Sequence, residues 1–322
     1  MRIGVRTLVL LALAVAGAAS AHAATDYPNR PVRIIVPFAP GGSLDMLART
    51  LGRGLAERLG QQFVVENRSG AGGNLGHDAV VKAKPDGYTM LVTSEPLTIN
   101  PALFPNLPYD VARDLAPVTL VASLSQVLIV RPASPLRNFA DYLVAATTRP
   151  EPLDYATAGL GSPGHLAGEQ LRLATGAALV HVPYRGGGPA VADVAAGQIE
   201  SGIMTLPAAL ALIQSGAVRA LAVTSRARAG VLPDVPTIGE TMPGYVVDSW
   251  QAVLVPAGTP SDIIARLNRE IVALVAQPAV RELLDKQGFD VVGSTPEALG
   301  SRITEELAKW RTFVKRADIH ID

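Results

Sequence analysis

Two hydrophobic patterns alternate along most of the chain. Short apolar runs typical of buried strands, the first from Val32 to Val36, precede stretches in which leucine and alanine recur every three or four residues, as in 44–59. The further runs of strand type are 63–66, 88–93, 153–157, 178–182, 199–205 and 220–224. This alternation predicts a layered α/β fold.

The same pattern predicts several helix boundaries. Ser43 is placed to cap the first helix, and Ser162 and Pro163 are residue types common at an N-cap and at the first helical position. The other predicted helices are a short one that ends at Val81, followed by 138–148, 263–275 and 296–316.

Two longer extended runs, 118–130 and 245–255, bracket a middle block that resembles the segments on either side of it. We therefore predict two lobes, the first formed by 24–124 and 248–322 and the second by 125–247, with the two crossings as a hinge. The alternative is one large sheet that contains all the strands. Periodicity alone leaves both arrangements open.

The first residues have the features of a secretory signal peptide. Arg2 and Arg6 give a basic start, the segment 8–19 is almost wholly apolar, and Ala21-His22-Ala23 is a small-x-small cleavage site. The apolar run is shorter than the ~20 residues that a membrane span needs. We expect cleavage after Ala23 and a soluble product in the compartment beyond the membrane, with residues 1–23 removed.

Composition excludes several classes of protein. The 28 basic residues equal the 28 acidic residues in number and form no basic block, so nucleic acid is not an expected partner. The chain has no cysteine, so it can form neither disulfides nor a lipid anchor on cysteine. His165 and Glu169 could supply two metal ligands, but no further cluster accompanies them. We predict no metal and no cofactor.

Three glycine-bearing loops follow predicted strands, at 37–45, 159–165 and 184–189. If the first two face each other across a cleft, two helix N-termini point at one ligand, each with about half a positive charge and free N–H groups. A carboxylate can be held in this way without an arginine. Phosphate is less favoured, because Ala39 to Ser43 lacks the Gly-Lys-Ser/Thr ending of a P-loop and Leu75 interrupts the dinucleotide pattern that begins at Gly70.

The second loop raises the alternative of a serine hydrolase. Leu160-Gly161-Ser162-Pro163-Gly164 resembles a nucleophile elbow whose first glycine is missing. His165 is too near Ser162 in sequence to serve as a triad base from another loop, so a capping role with ligand contact is favoured. Two roles stay open for Asp45, a helix cap or a group that orders water or receives a ligand ammonium.

Several motifs together carry a family resemblance: PFAPGGSLDMLAR, ENRSGAGGNLG, KPDGYTML, GSPGHLAGE, VPYRGGGPA, LPDVPTIGE and PAGTP. In order and spacing the chain resembles the Bug (TctC) family, the periplasmic substrate-binding proteins of tripartite tricarboxylate transporter systems, over nearly its whole mature length. The resemblance implies a type II periplasmic-binding-protein fold, in which two α/β lobes close around an organic acid. It also implies membrane permease subunits as partners.

The resemblance further implies that the loops 38–45 and 159–165 hold one carboxylate through backbone N–H groups and ordered waters. The expected ligand-binding residues are Phe38, Ala39, Pro40, Gly41, Gly42, Asp45, Asn74, Ser94, Gly161, Ser162, His165, Arg185 and Thr205. Many family members have an acidic residue where this chain has Met204-Thr205, which favours a di- or tricarboxylate or an aromatic acid over an amino acid.

We therefore predict a monomeric periplasmic solute-binding protein that captures a small organic carboxylate and delivers it to a transporter, and not an enzyme. Two alternatives stay open. One is an exported serine hydrolase that uses Ser162, and the other is a ligand-presenting partner of a sensor kinase.

Overall fold

The computed structural model describes residues 27–104 and 106–317. The predicted signal peptide and its cleavage site after Ala23 lie outside the described residues. Within the described ranges, helices and strands alternate as the hydrophobic pattern predicts, and none of the helices there has the length and apolar character needed to cross a membrane.

Ten strands lie in the described residues: β1 Val32–Val36, β2 Phe63–Asn67, β3 Thr89–Thr93, β4 Leu115–Val130, β5 Leu153–Thr157, β6 Leu179–Pro183, β7 Ser201–Thr205, β8 Arg219–Val223, β9 Asp248–Pro256 and β10 Asp290–Val291. The α-helices of the same ranges are α1 Ser43–Leu59, α2 Asn74–Val81, α3 Pro96–Leu103, α4 Val111–Asp114, α5 Phe139–Thr148, α6 Pro163–Thr175, α7 Gly187–Ala196, α8 Leu206–Gln214, α9 Ile238–Thr241, α10 Ser261–Val275, α11 Pro278–Lys286 and α12 Pro296–Ala317.

The predicted cap of α6 is confirmed, whereas the predicted cap of α1 is wrong. Ser162 is the N-cap of α6, and its side chain accepts a hydrogen bond from the backbone N–H of His165. In α1 the N-cap is Gly42, and Ser43 is the first helical residue. The extended Gly42 ends the loop one residue earlier than expected, which frees the Ser43 hydroxyl for contacts away from its own helix.

The sheet topology is organised around β4. The strand order is β2-β1-β3-β9-β4-β7-β5-β6, and β8 and β10 also pair with β4. Residues 115–125 of this strand pair antiparallel with β9, whereas 126–130 pair with β7 and β8. Hydrogen bonding is therefore continuous, as in the single-sheet alternative, but β4 leaves one sheet halfway along its length and enters a second.

The hydrophobic cores follow this division. One cluster surrounds β1, with Val32, Leu47 and Val253 fully buried, and brings α1 and α10 onto that sheet. A separate cluster surrounds Leu128 and Tyr155 in the second sheet. The molecule thus has two α/β lobes joined by the extended crossings β4 and β9, and we propose that the lobe boundaries lie at 124/125 and 247/248.

Candidate ligand-binding site

A cavity lies where the first and second glycine loops meet. Its volume is about 40 Å³. The lining residues come from strand ends and helix starts on both sides: Phe38, Ala39, Gly42, Ser43, Leu44, Asp45, Ser94, Pro96, Ala158, Ser162, Pro163, Gly187, Thr205 and Gln251. The loops at 38–45 and 159–165 thus face one shared space, as the sequence predicts.

The start of α1 supplies the donors of this cavity. Gly42 caps the helix without a side-chain hydrogen bond, and the first backbone N–H groups, those of Ser43 and Leu44, have no partner among the described residues. The N-terminus of a helix carries about half a positive charge, and no Lys or Arg belongs to the cavity lining. The site is therefore suited to an anion bound by main-chain donors.

Asp45 has a structural role within the first loop. Its Oδ2 accepts from Gly41 N at 3.1 Å and from Arg49 Nε at 3.0 Å, and its Oδ1 accepts from Asn67 Nδ2 at 3.1 Å. Burial acts to raise the pKa of Asp45, but the hydrogen bonds from Arg49, Gly41 and Asn67 together hold it below its ordinary value. The carboxylate is ionised and paired, and it fixes the loop that presents the start of α1.

The second loop uses most of its own donors internally. Gly161 N donates to His165 Nδ1 at 3.2 Å, and Ser162 N donates to Gly159 O at 3.1 Å. The His165 ring stacks on His181 with centroids 4.0 Å apart, and burial lowers the pKa of His165 to about 4, so the ring is neutral at pH 7. This loop therefore lines the cavity through Ser162 and Pro163, and most of its N–H groups are already paired.

The third glycine loop forms the contact between the two sides of the cavity. Ala39 N donates to Arg185 O at 2.8 Å, and Gly187 lines the cavity beside Gly42. The Arg185 side chain is exposed and does not line the cavity. It is thus the main chain of the third loop that meets the first loop, because its glycines allow close backbone approach.

Three polar side chains meet at the back of the cavity. Ser43 Oγ accepts from Thr205 Oγ1 at 2.9 Å and from Gln251 Nε2 at 2.7 Å. Sequence reasoning missed Ser43, which it assigned to helix capping, and also Gln251. The available signal for Gln251 was that it is the single polar residue in the otherwise apolar run 250–255.

The predicted site residues divide into two groups. Those that line the cavity are Phe38, Ala39, Gly42, Asp45, Ser94, Ser162 and Thr205. Those that do not are Pro40, Gly41, Asn74, Gly161, His165 and Arg185. Asn74, for example, is buried elsewhere, where its Oδ1 accepts from Asn100 Nδ2 and Tyr109 OH, both at 2.7 Å. Ligand contact by any of these residues stays a prediction.

Within the part of the chain that the structure describes, Ser162 has no catalytic base beside it. Its Oγ accepts from the backbone N–H of His165, and within the described ranges no histidine ring nitrogen hydrogen-bonds to it. His165 Nδ1 instead accepts from Gly161 N. Because a serine nucleophile needs a base within hydrogen-bond reach, the arrangement favours the capping role over hydrolysis.

Two lobes joined by two crossing strands, with a cavity between them whose lining includes no lysine or arginine, define a two-lobed solute-binding protein. The chain belongs to the TctC family, described as the tripartite tricarboxylate transporter family receptor, whose model matches residues 47–319. The expected fold class and family are both confirmed.

Individual relatives agree with this assignment. The chain is 42% identical to Protein BugT of Bordetella pertussis over 306 residues, which is 94% of each protein. Among solved structures, the periplasmic binding protein BugD superposes with a TM-score of 0.87 at 33% identity, covering 91% of this chain and 99% of that chain. An R. palustris protein solved with adipate superposes with a TM-score of 0.89 at 36% identity, covering 92% and 99%.

Proposed function

We propose that this protein is a periplasmic receptor that captures a small organic carboxylate between its lobes and delivers it to the permease subunits of a tripartite tricarboxylate-type transporter. We further propose that it acts as a monomer after removal of residues 1–23. Membership of a receptor family supports a binding role rather than an enzymatic one. The relative solved with adipate supports an organic acid as the ligand.

The observation that carries this proposal is the uncapped start of α1. The backbone N–H groups of Ser43 and Leu44 open into a cavity to which Ser162 and Thr205 also contribute. A carboxylate is the anion that suits such donors in the absence of a lysine or arginine, because it carries one charge and two acceptor oxygens.

Ligand entry requires the two sides of the cavity to separate. A volume of about 40 Å³ is enough for a few water molecules and too small for a dicarboxylic acid. Hydrogen bonds across the closed gap join Ala39 N to Arg185 O and Thr205 Oγ1 to Ser43 Oγ. Leu166 of one side also packs in a cluster with Ile99 of the other. We propose that β4 and β9 act as the hinge, because they are the strands through which the chain passes between lobes.

Thermal unfolding with a panel of acids tests the proposal. Mono-, di- and tricarboxylates and aromatic acids are added to the purified protein, and the unfolding temperature is recorded. An acid that binds should stabilise the protein by about 2.7 kcal/mol at 100 times its Kd. The control is the same acid with every carboxyl group methylated. It should produce no shift in the unfolding temperature because it carries no charge. Absence of stabilisation by every acid would contradict the proposal.

A further inference from the structure

The Gln251 amide is the polar group of the cavity that carboxylate binding leaves unexplained. Gln251 lies in β9 with 1% of its surface exposed, and it lines the cavity. Its Nε2 donates to Ser43 Oγ, whereas its Oε1 has no hydrogen-bond partner among the described residues. Because a buried polar atom without a partner is rare and destabilising, this oxygen indicates that a group entering the cavity donates to it.

The hydrogen bonds of Ser43 assign complementary roles to the two side chains. A hydroxyl has two acceptor positions and one proton. Ser43 Oγ receives Thr205 Oγ1 and Gln251 Nε2, so both acceptor positions are used and its proton is left to donate to an anion at the start of α1. The oxygen of Gln251 is then available to a different part of the same ligand.

Charge decides which kind of donor fits this oxygen. Asp45 is the one carboxylate in the cavity lining, and Arg49 already forms an ion pair with it at 3.0 Å. A ligand ammonium would therefore lose its hydration without meeting an unpaired negative charge, which is unfavourable. A neutral hydroxyl, by contrast, needs only the single acceptor that Gln251 offers.

We propose that Gln251 selects hydroxy-substituted carboxylates over their unsubstituted analogues, by accepting a hydrogen bond from the ligand hydroxyl at Oε1. The inference rests on the proposed function, since it places the ligand carboxylate at the start of α1. Sites built to pair a substrate hydroxyl discriminate strongly against analogues that lack it, because the buried protein group is then left without a partner.

Calorimetric titration with matched acids tests the selection. The pairs are succinate and malate, tricarballylate and citrate, and phenylacetate and mandelate. In a pair that binds, the hydroxy acid should bind at least about tenfold more tightly. Equal or tighter binding of the unsubstituted acid in every pair that binds would overturn this inference alone, and would indicate an amide N–H facing the ligand. No binding by any carboxylate in the wider thermal panel would overturn the proposed function as well.

A pair of variants locates the effect. Gln251→Met keeps the length of the side chain and removes both polar atoms, and the preference should fall below about threefold. Gln126→Met is the control, because Gln126 lies in the other crossing, is equally buried and does not line the cavity. It should keep the full preference. A preference that survives in Gln251→Met would overturn the assignment, and the wild-type pairs test it even if a variant fails to fold.

Discussion

Glu95 shows how a single residue couples the ligand cavity to the second crossing. It lies between two cavity-lining residues, and its carboxyl oxygens accept from the Trp250 backbone N–H and from Ser249 Oγ in β9. Burial, followed by the nearby Glu306, raises the pKa of Glu95 to about 8. Glu95 is therefore largely protonated in the folded protein at neutral pH.

This pKa predicts a pH dependence of stability. A raised folded-state pKa means that the folded protein binds more protons than the unfolded chain between about pH 4.5 and pH 8, so stability is lost as pH rises through that window. The Glu95→Gln variant cannot ionise, and between pH 5 and pH 9 it should lose on the order of 4 kcal/mol less than the wild type.

Urea unfolding at each pH measures the effect. Glu282→Gln is the control. Glu282 is exposed, and its ion pair with Lys286 lowers the pKa of Glu282. This variant should therefore leave the slope of unfolding free energy against pH unchanged above pH 5. A Glu95→Gln protein that follows the wild-type pH profile would show that the carboxyl is not held protonated.

The individual residues that line the cavity were only partly predictable from the sequence. The glycine loops identified Gly42, Asp45 and Ser162 as cavity residues, because strand-to-helix turns are recognisable by residue type and spacing. Ser43 and Gln251 could not be connected in the same way. They are 208 positions apart and meet only when β9 crosses behind α1.

At the scale of loops and helices, the third glycine loop controls how closely the two sides approach. A Cβ atom at Gly188 would lie 2.9 Å from Pro40 O and 3.3 Å from Gly41 C. Such distances are too short for a side chain, so the closed arrangement depends on glycine at this position. The sequence predicted that the first two glycine loops face one cleft, but it did not predict that the third loop contacts the first loop there.

The Gly188→Ala variant should therefore impair closure. We expect the Kd for the acid that stabilises most in the thermal panel to rise about tenfold, because the closed state is penalised while the free protein keeps its stability to within about 0.5 kcal/mol. Titration calorimetry and urea unfolding measure the two quantities. Gly230→Ala is the matched control, since a Cβ atom there meets nothing within 4 Å. Unchanged affinity in Gly188→Ala would contradict the sealing role.

Most elements were predictable because their apolar residues face one lobe core. The predicted strand 153–157 is observed with the same bounds, and the predicted helix 263–275 begins two residues earlier, at Ser261. Helix α11 was missed because it has only nine residues, of which only Leu284 is buried.

At the scale of the whole molecule, the two lobes have separate cores and share β4 and β9. Clusters around β1 and around Leu128 are each complete within one sheet. A change in the angle between lobes can therefore leave both cores intact, with the adjustment at the crossings and at the smaller cluster in which Leu166 packs with Ile99 and Trp310. Periodicity could not choose between one sheet and two lobes, because a 16-residue strand that belongs to both sheets satisfies the pattern of either.

The central claim is that main-chain donors at the start of α1 hold the ligand carboxylate. The most direct test compares Ser43→Pro with Ser43→Ala. Both lack the hydroxyl, but only proline also lacks the backbone N–H. Proline is tolerated at a first helical position, and Gly42, at φ −85° and ψ 170°, already has an extended conformation that can precede it.

Titration calorimetry with the best-binding acid should give a Kd for Ser43→Pro about ten- to a hundredfold above that of Ser43→Ala, the loss expected for one hydrogen bond to a charged group. Thermal unfolding without ligand verifies that both variants are folded. Equal affinities of the two variants would contradict the account, because the carboxylate would then be held by groups other than the N-terminus of α1.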